Sequence, residues 1–476
     1  MSGFVGRTTE LRDLAHLLDV VRAGQRADNG VAVLLRGRRR VGKSRLVSEL
    51  IERSGLPSFY FQAARHAPLS EELGLFAQTI ASSDLPGAEL AEAVVPNSLT
   101  AALRLLAAAL PEDSPSIAVI DELPWLLEAI PGGAGELQRV WDRELARKPL
   151  LLLLLGSDLT MMEALSHADQ PFHGRATEMV LHTLSPADVA HMTGLAGKDA
   201  FDAYLITGGQ PLVAQEWQHG HTMTDFIAAS MSRSTSALIT SGIRVIDSEF
   251  PPSTHARLVL TAIGGRGERT HSGILQSLQG MISPASLDRA LALLSEKRVV
   301  TADEPLSAKP GTKDRRWRVS DPALRFWLAL VEPSLPLVDR GRPDLATQQF
   351  SAQFASWRGR AIEPVVREAL ARLLPDPRWP SALELGGWWP RNNTPELDLV
   401  AAEARPARHI SFVGSIKWRQ NSLFTRADFR ALSQDALQVP GVMVSTPLVA
   451  VCPAGAEPDL PLAHVWTAEE LLNAWR

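Results

Sequence analysis

The 476-residue sequence predicts an α/β fold in its amino-terminal part, with helices covering both faces of a parallel sheet. Short apolar runs alternate there with amphipathic stretches, as expected for strands buried between helices. A glycine-rich segment follows the first apolar run, and two carboxylates follow the third. The runs predicted as strands are Val31–Leu35, Ser58–Gln62, Ile117–Ile120 and Leu150–Leu155.

The composition is that of a soluble globular protein, and the length predicts roughly three domains. A net charge of -5 does not indicate a nucleic-acid partner, although a balanced total can hide a local basic patch. The single cysteine, Cys452, excludes an intrachain disulfide framework. No apolar signal core opens the sequence, and its longest leucine run is far shorter than the roughly 20 residues of a membrane span. We therefore expect a cytoplasmic protein without a membrane partner.

The rest of the chain predicts separate helical and α/β segments. From Pro186 to about Ile246, apolar residues recur at helical spacing. After Pro251-Pro252, three short helical patterns precede two strand-like runs, an order typical of a winged helix-turn-helix. The predicted domains are a core at 1–185, a helical lid at 186–248, a winged-helix-like domain at 249–332, a linker at 333–348 and a C-terminal α/β domain at 349–476.

Local composition sets the boundaries in the carboxy-terminal half. The proline-rich stretch from Pro333 to Pro343 predicts the linker. The winged segment has its strand-like runs at Arg298–Thr301 and Arg316–Val319. The last domain begins with a helix predicted over Phe350–Leu374, and Asn392-Asn393 predict a turn between its strands.

The glycine-rich segment fits the pattern G-x-x-x-x-G-K-[ST], directly after the first predicted strand and before a helix. In this motif the glycines let backbone N–H groups curl around phosphates, Lys43 neutralises the β and γ oxygens, and the Ser44 hydroxyl reaches Mg²⁺. A chance glycine turn is the alternative, and the flanking strand and helix count against it. The predicted ATP-binding residues of this P-loop are Gly37, Arg38, Arg39, Arg40, Val41, Gly42, Lys43, Ser44 and Arg45.

A second motif places two carboxylates at the end of the apolar run Ile117–Ile120. We expect Asp121 to hold Mg²⁺, directly or through water, and Glu122 to act as general base toward the attacking water. Acids also follow strands as helix N-caps, which is the alternative for this motif alone. Together with the P-loop, the pair predicts a site for hydrolysis of ATP.

Two further polar residues are candidates for contacts with the γ-phosphate. Ser157 follows the strand Leu150–Leu155, at the end of the sheet where ligands of open α/β folds bind. It is a candidate γ-phosphate sensor, or a cap of the next helix. Arg175 precedes the strand-like run Met179–His182 and is a candidate for stabilising charge on the γ-phosphate, with an ordinary surface arginine as the alternative.

Six short motifs in the chain resemble those of the prokaryotic ATPases often called archaeal ATPases, which are AAA-like and similar to the signal-transduction ATPases with numerous domains. The resemblance covers nearly the whole chain. It implies that Phe4, Val5, Arg7 and Pro211 flank the adenine, and that Arg175 lies near the γ-phosphate. The motifs are Phe4-Val5-Gly6-Arg7, the P-loop, Ile120-Asp121-Glu122, Gly156-Ser157 with Met161-Met162, Gly174-Arg175, and Gly208-Gly209-Gln210-Pro211.

The C-terminal segment resembles the companion domain of these ATPases, which is similar to PD-(D/E)xK nucleases. The resemblance rests on Asp321, Arg325-Phe326-Trp327 and Gly386-Gly387-Trp388-Trp389. It implies a metal-dependent nuclease site in which a helix supplies one acid, a strand supplies a second, and the next strand supplies acid-x-Lys.

The residues that match this nuclease pattern are Glu363, Asp398 and Lys417, but Ser415 stands where the pattern has an acid. Alternation along the strand puts Glu396 on the same face as Asp398, where it would partly replace the missing carboxylate. Because Mg²⁺ prefers charged oxygen ligands, we interpret the domain as degenerate and non-cleaving, with a cleaving domain as the alternative.

A basic cluster marks the winged segment and is a candidate for neutralising DNA phosphates. A solvated loop or a protein-contact surface is an equal alternative. The cluster consists of Lys309, Lys313, Arg315, Arg316 and Arg318.

The sequence thus favours a multidomain switch that binds and hydrolyses ATP with Mg²⁺ and acts with DNA through its C-terminal domains. The first alternative is an ATP-regulated, Mg²⁺-dependent DNA nuclease. The second is a nucleotide-dependent scaffold that binds protein without DNA. The sequence leaves the oligomeric state open.

Overall fold

The computed structural model describes residues 4–24, 29–167, 170, 172–242, 250, 254–307, 314–419 and 421–476. The chain divides into two compact units, Met1–His182 and Thr183–Arg476. This division lies close to the predicted boundary between residues 185 and 186. Within the described ranges, no helix is both long and apolar enough to span a bilayer.

A five-stranded parallel sheet with the strand order β2-β3-β4-β1-β5 forms the centre of the first unit. The predicted parallel sheet is therefore confirmed. Because the strands run in one direction, Arg36, Asp121 and Gly156 lie at the same edge of the sheet. The strands are β1 Val31–Arg36, β2 Ser58–Gln62, β3 Ser116–Asp121, β4 Leu150–Gly156 and β5 Ala176–Val180.

Helices cover both faces of this sheet. Alternate side chains of a strand point to opposite faces, so Val33 and Leu35 pack with α1 and α2, whereas Ala32 and Leu34 pack with α3, α4 and α6. Burial on both faces explains why the strands are continuous apolar runs. The helices are α1 Thr8–Ala23, α2 Lys43–Ser54, α3 Leu69–Ala81, α4 Leu99–Ala109, α5 Leu123–Glu128, α6 Gly133–Arg143 and α7 Leu159–Ser166.

The second unit contains two sheets. The smaller is antiparallel with the order β6-β8-β7, and the larger has the order β13-β12-β11-β10-β9. In the larger sheet, β10 is antiparallel to both of its neighbours, β9 and β11, whereas β11, β12 and β13 are parallel. The strands are β6 Arg269–Thr270, β7 Val300–Asp303, β8 Arg316–Val319, β9 Glu384–Trp388, β10 Leu397–Ala402, β11 Ile410–Ile416, β12 Leu448–Val451 and β13 His464–Trp466.

Helices surround these two sheets, and a shared hydrophobic core joins them. Phe201, Phe326, Phe350 and Phe412 belong to this core, although they come from segments predicted as lid, winged domain and C-terminal domain. The helices are α8 Pro186–Thr193, α9 Gly197–Thr207, α10 Pro211–Gln215, α11 Met223–Met231, α12 Ala256–Ile263, α13 His271–Ser277, α14 Pro284–Glu296, α15 Pro322–Phe326, α16 Leu335–Asp339, α17 Pro343–Ala361, α18 Glu363–Leu373, α19 Arg426–Ala436 and α20 Ala468–Leu472.

The stretch expected as a proline-rich linker is helical. Helix α16 and the beginning of α17 occupy it, and the helix predicted over Phe350–Leu374 is two helices, α17 and α18. Pro333, Pro336 and Pro343 each lie in the first turn of a helical segment. Proline fits there because the first turn does not need its N–H group.

The other local predictions in the second unit are largely observed. Helices α12, α13 and α14 follow one another as expected, and β7 and β8 overlap the two strand-like runs of the winged segment. Asn393 has a positive φ of 62° in the turn between β9 and β10. The predicted end of the lid near Ile246 lies outside the described residues.

Candidate functional site

The P-loop connects β1 to α2 at the carboxyl edge of the first sheet. Its path needs positive φ at Arg40 (68°) and at Gly42 (94°). A Cβ atom on Gly37 would lie 2.6 Å from the carbonyl oxygen of Leu181, so this position accepts only glycine. The loop thus has the tight backbone path that lets N–H groups converge on a phosphate.

The Lys43 side chain lies inside this loop. Lys43 begins α2 and is 7% exposed. Its Nζ atom donates hydrogen bonds to the carbonyl oxygens of Gly37 (2.7 Å) and Arg38 (3.2 Å). The ammonium group is therefore held at the centre of the loop, where a compact positive charge meets phosphate oxygens in a P-loop.

The two predicted metal ligands are in direct contact. The Ser44 hydroxyl donates to Asp121 Oδ2 at 2.8 Å. The other carboxylate oxygen, Oδ1, accepts from the backbone N–H of Glu122 at 2.9 Å. A hydroxyl and a carboxylate are hard oxygen ligands of the kind that Mg²⁺ prefers, so this pair fits the ion.

The sequence analysis missed Tyr60, a residue of β2 that also binds Asp121. Its hydroxyl donates to Asp121 Oδ2 at 2.7 Å. Burial raises the pKa of Tyr60, and the neighbouring negative charge of Asp121 raises it further. The phenol therefore remains a protonated donor at neutral pH. Its position in the strand beside β3 was the only signal in the sequence that would have indicated this contact.

Glu122 is held by the residue predicted as a phosphate sensor. The Ser157 hydroxyl lies 2.8 Å from both carboxylate oxygens of Glu122, and the Ser157 N–H donates to Oε2 at 3.2 Å. The alternative role of Ser157 as a helix cap is wrong, since the Asp158 side chain caps α7 by accepting from Met161 N–H at 3.1 Å.

Glu122 also occupies the N-cap position of α5, with a φ of 54°. A helix cap was the alternative to the catalytic role of this carboxylate pair, but the Glu122 side chain makes no capping hydrogen bond. Its carboxylate is turned toward the end of β4 instead.

The amino-terminal motif packs against the P-loop. The Arg7 guanidinium donates to the carbonyl oxygens of Val41 (2.8 Å) and His182 (2.5 Å), and it forms an ion pair with Glu10 at 3.2 Å. Phe4 packs against the core that α1 and α2 share with the sheet, and Val5 is half-buried. The contact of Arg7 with the loop supports a place for this motif beside the nucleotide.

The other predicted P-loop residues have local contacts. The Arg39 guanidinium lies 5.3 Å from the ring centroid of Trp125. Arg45 is exposed on α2 and pairs with Glu49 at 3.5 Å and with Glu52 at 3.7 Å. The Arg45 side chain therefore forms its ion pairs on the exposed face of α2.

Arg175 lies at the opposite edge of the sheet from the P-loop. Strand β5 is parallel to β1, with Ala176 opposite Ala32, so Arg175 lies beside the beginning of β1. A strand of this length separates the two edges by roughly 16 Å. The guanidinium pairs with Asp142 at 2.7 Å. The prediction that Arg175 reaches the γ-phosphate in its own chain is therefore wrong, and the alternative of a surface arginine agrees with its position.

Pro211 begins α10 in the second unit, after the N-cap residue Gln210. Gly208 and Gly209 before it are required by packing, since Cβ atoms there would lie 2.3 Å from Ala323 N and 2.1 Å from Leu184 O. The role of Pro211 beside adenine stays a prediction.

Of the residues that match the nuclease pattern, Asp398 contacts Ser415, whereas Glu396 contacts an arginine. Asp398 Oδ2 accepts from the Ser415 hydroxyl at 3.0 Å and from the Ile416 N–H at 2.8 Å. Lys417 follows β11 and is half-buried. Glu396 forms an ion pair with Arg316 at 2.7 Å. Within the described ranges, no three His, Cys, Asp or Glu side chains are arranged to hold a metal ion.

Glu363 has an arginine beside it that the sequence analysis missed. It begins α18, and its carboxylate pairs with Arg367, one turn later, at 3.0 Å. Burial raises the pKa of Glu363 to about 8, and the charge of Asp398 adds to the shift, whereas Arg367 opposes it. A guanidinium thus supplies the positive charge beside this carboxylate.

Two arginines of the basic cluster form ion pairs inside the second unit, and their contacts with DNA phosphates stay a prediction. Arg316 is 7% exposed. Arg318 pairs with Asp303 at 2.6 Å. Arg315 remains exposed, 5.1 Å from the ring centroid of Trp317. Lys309 and Lys313 lie outside the described residues.

Arg316 is bound by several groups of the second unit. Besides Glu396, it contacts Asn393 at 2.9 Å and Glu268 at 3.6 Å, and its guanidinium lies 4.2 Å from the ring centroid of Trp389. It therefore connects the three-stranded sheet to the turn between β9 and β10.

Comparison with known proteins gives matches to two family models. Residues 327–431 match a family described as archaea bacterial proteins of unknown function, and residues 3–131 match the AAA ATPase domain. No match was found among the curated proteins.

Several solved structures are similar to parts of the chain. The Walker-type ATPase of Pyrococcus abyssi is 19% identical, with 68% of this chain and 96% of that chain covered and a TM-score of 0.47. The ORC2 protein of Aeropyrum pernix, in ADPNP and ADP complexes, is 13% identical, with coverage of 75% and 98% and a TM-score of 0.44.

A signal transduction ATPase with numerous domains from Pyrococcus horikoshii, which has a tetratricopeptide repeat sensor, is 14% identical. The alignment covers 78% of this chain and 50% of that chain, with a TM-score of 0.28. TM-scores this low carry no argument about function. The match that bears on the site is that of residues 3–131, which contain the P-loop and the Asp121-Glu122 pair, to the AAA ATPase domain.

Proposed function

We propose that the first unit binds ATP with Mg²⁺ and hydrolyses it, and that the chain acts as a nucleotide-dependent switch. One observation carries this proposal: the Lys43 ammonium lies inside the P-loop while Ser44 and Asp121 meet at 2.8 Å beside it. A nucleoside triphosphate with Mg²⁺ needs a cation for its phosphates and hard oxygen ligands for the ion, and both lie here at a helix N-terminus.

Each of these residues has a distinct task. Lys43 neutralises phosphate oxygens, and the oxygens of Ser44 and Asp121 hold Mg²⁺. The ion, when bound, supplies positive charge for the phosphates. Glu122 accepts the proton of the attacking water once it has separated from Ser157. The Glu122–Ser157 contact supports a resting arrangement in which the base is withheld.

The test is ATP hydrolysis by the full-length chain and by Glu122→Gln. The amide keeps the size of the side chain but cannot accept a proton, so we expect ATP binding to stay while turnover falls by about 100-fold or more. Glu128→Gln, at an exposed position on the same short helix, is the matched control and should leave turnover unchanged. Full turnover by Glu122→Gln would remove Glu122 as the base.

We interpret the segment 249–332 as a winged-helix-like domain and the segment 349–476 as a degenerate PD-(D/E)xK-like domain. Three successive helices and the antiparallel order β6-β8-β7 support the first interpretation. The second is supported by the mixed sheet and by Ser415 in the position of the missing acid. The contacts of Glu363 with Arg367 and of Glu396 with Arg316 favour a domain that does not cleave DNA.

The partner of the switch is the remaining question. DNA is one candidate, through Arg315 and the rest of the wing. A protein is the other candidate, and the ion pairs of Arg316 and Arg318 count against DNA because they leave fewer cations for phosphate contacts. Binding of a DNA duplex measured at several salt concentrations separates them, because phosphate contacts weaken steeply with salt. No binding at low salt would leave the protein partner.

A further inference from the structure

Tyr60 contacts the predicted Mg²⁺ site from a strand that carries none of the expected motifs. Its hydroxyl donates to Asp121 Oδ2 at 2.7 Å, and its ring packs against the core shared by α1, α2 and the sheet. The same oxygen accepts from Ser44 at 2.8 Å. Tyr60 and Ser44 thus approach Asp121 from two different elements, β2 and α2.

The Asp121 carboxylate is 3% exposed and is held on both oxygens. The N–H of Glu122 binds Oδ1, while the hydroxyls bind Oδ2. A buried carboxylate needs such donors, and their directions fix its rotation. When Ser44 turns its oxygen toward a cation, the contacts from Tyr60 and Glu122 remain to hold Asp121.

We propose that Tyr60 is a positioning residue, whose hydroxyl keeps the Asp121 carboxylate oriented toward Ser44 so that the two oxygens bind Mg²⁺ together. This inference rests on the proposed ATP-binding function. Tyr60 acts through Asp121 and does not itself touch the nucleotide or the ion.

Removal of the hydroxyl alone tests this role. The variant Tyr60→Phe keeps the ring that packs against the core and removes only the bond to Asp121. In the full-length chain we expect the affinity for a non-hydrolysable ATP analogue in EDTA to stay within about twofold, since metal-free binding does not use Asp121. The Mg²⁺ concentration that gives half of the metal-dependent gain in affinity should rise by about tenfold, the effect of one hydrogen bond.

The chain offers a matched control because it has only two tyrosines. Tyr204 lies in α9 of the second unit, and Tyr204→Phe removes the same atom from a core without the Mg²⁺ ligands. We expect this variant to keep the Mg²⁺ requirement of the parent protein. Thermal unfolding of both variants shows whether each is folded under the assay conditions.

A spectroscopic measurement reports on the Tyr60 hydroxyl directly. With 3-fluorotyrosine in place of tyrosine, the chain gives two ¹⁹F resonances, and the two Phe variants assign them. Mg²⁺ with the ATP analogue should shift the Tyr60 resonance beyond the shift caused by the analogue in EDTA. Because the charge of a nearby Mg²⁺ also shifts this resonance, it reports that the ion binds beside Tyr60, and the Mg²⁺ requirement of Tyr60→Phe decides the positioning role.

The outcomes separate this inference from the function on which it rests. If the parent binds ATP but Tyr60→Phe keeps the Mg²⁺ requirement, or loses affinity equally with and without Mg²⁺, the positioning role of Tyr60 is overturned alone. If the parent binds no ATP at all, the proposed function and the role of Tyr60 are both overturned. A selective rise in the Mg²⁺ requirement supports the inference.

Discussion

Replacing Arg316 by alanine should destabilise the second unit. This side chain pairs with Glu396 and Glu268 and lies on the ring of Trp389, with 7% of the residue exposed. The variant removes the guanidinium and leaves Glu268 in a buried setting, where burial already raises its pKa. Alanine cannot replace these contacts.

The expected cost follows from this burial. Removing one partner of a buried ion pair costs about 3–5 kcal/mol, because the other charge remains without compensation. The second unit, Thr183–Arg476, has about 290 residues. At about 2.1 cal/mol/K of unfolding entropy per residue, each kcal/mol lowers the melting temperature of such a unit by about 1.6 °C. We therefore expect Arg316→Ala to lower the melting temperature of the second unit by roughly 5–8 °C.

Calorimetric unfolding of the full-length chain measures this change, and Arg315→Ala is the matched control. Arg315 is the preceding residue, but it is exposed, and its guanidinium lies over the face of Trp317. Loss of this contact should lower the free energy of unfolding by less than about 1 kcal/mol. Equal melting temperatures for the two variants, with weaker DNA binding by Arg316→Ala, would refute this reasoning. That result would mean that Arg316 serves DNA and not the second unit.

Two further predictions concern the C-terminal region. Burial raises the pKa of Glu363 to about 8 from an ordinary value of 4.5, so the folded unit binds this proton more tightly than the unfolded chain, and stability falls as pH rises between these values. Glu363→Gln does not titrate, and its melting temperature relative to the parent should be higher at pH 8 than at pH 5. Glu368→Gln, at an exposed position on the same helix, is the control. If the melting temperature of Glu363→Gln differs from that of the parent by the same amount at pH 5 and pH 8, the raised pKa of Glu363 is contradicted. We also expect no Mg²⁺- or Mn²⁺-dependent DNA cleavage by the full-length chain, with or without ATP. The reason is that Ser415 stands where the nuclease pattern has an acid, and that Glu363 contacts Arg367. Cleavage that disappears in Asp398→Ala and Lys417→Ala would make the regulated nuclease the better interpretation.

The sequence predicted the parts of the site that depend on contiguous residues. The P-loop is one segment between a strand and a helix, and Asp121 ends a strand whose apolar run is visible in the sequence. Parallel strands bring such ends to one edge, so the contact of Ser44 with Asp121 follows from the motif pair.

The sequence did not predict contacts between distant residues whose side chains carry no motif. Tyr60 lies 61 residues before Asp121, and Arg316 lies 80 residues before Glu396. Arg175 was misplaced because its distance from the P-loop depends on the direction and register of β5, which the sequence does not show. The stretch predicted as a linker is helical, and the sequence did not show this because prolines in first helical turns resemble prolines in a linker.

The central claim is that the P-loop binds ATP through Lys43, and calorimetric titration of ATP with Mg²⁺ into the full-length chain tests it. Hydrogen bonds to a charged group contribute about 1.5–3 kcal/mol, so Lys43→Ala should weaken ATP binding by roughly 10- to 150-fold. Because Arg53 is an exposed cation in the last turn of the same helix, Arg53→Ala is the matched control and should bind ATP as the parent does. Tight binding by the parent and Arg53→Ala with a large loss in Lys43→Ala is the predicted result, whereas unchanged affinity in Lys43→Ala would contradict the account.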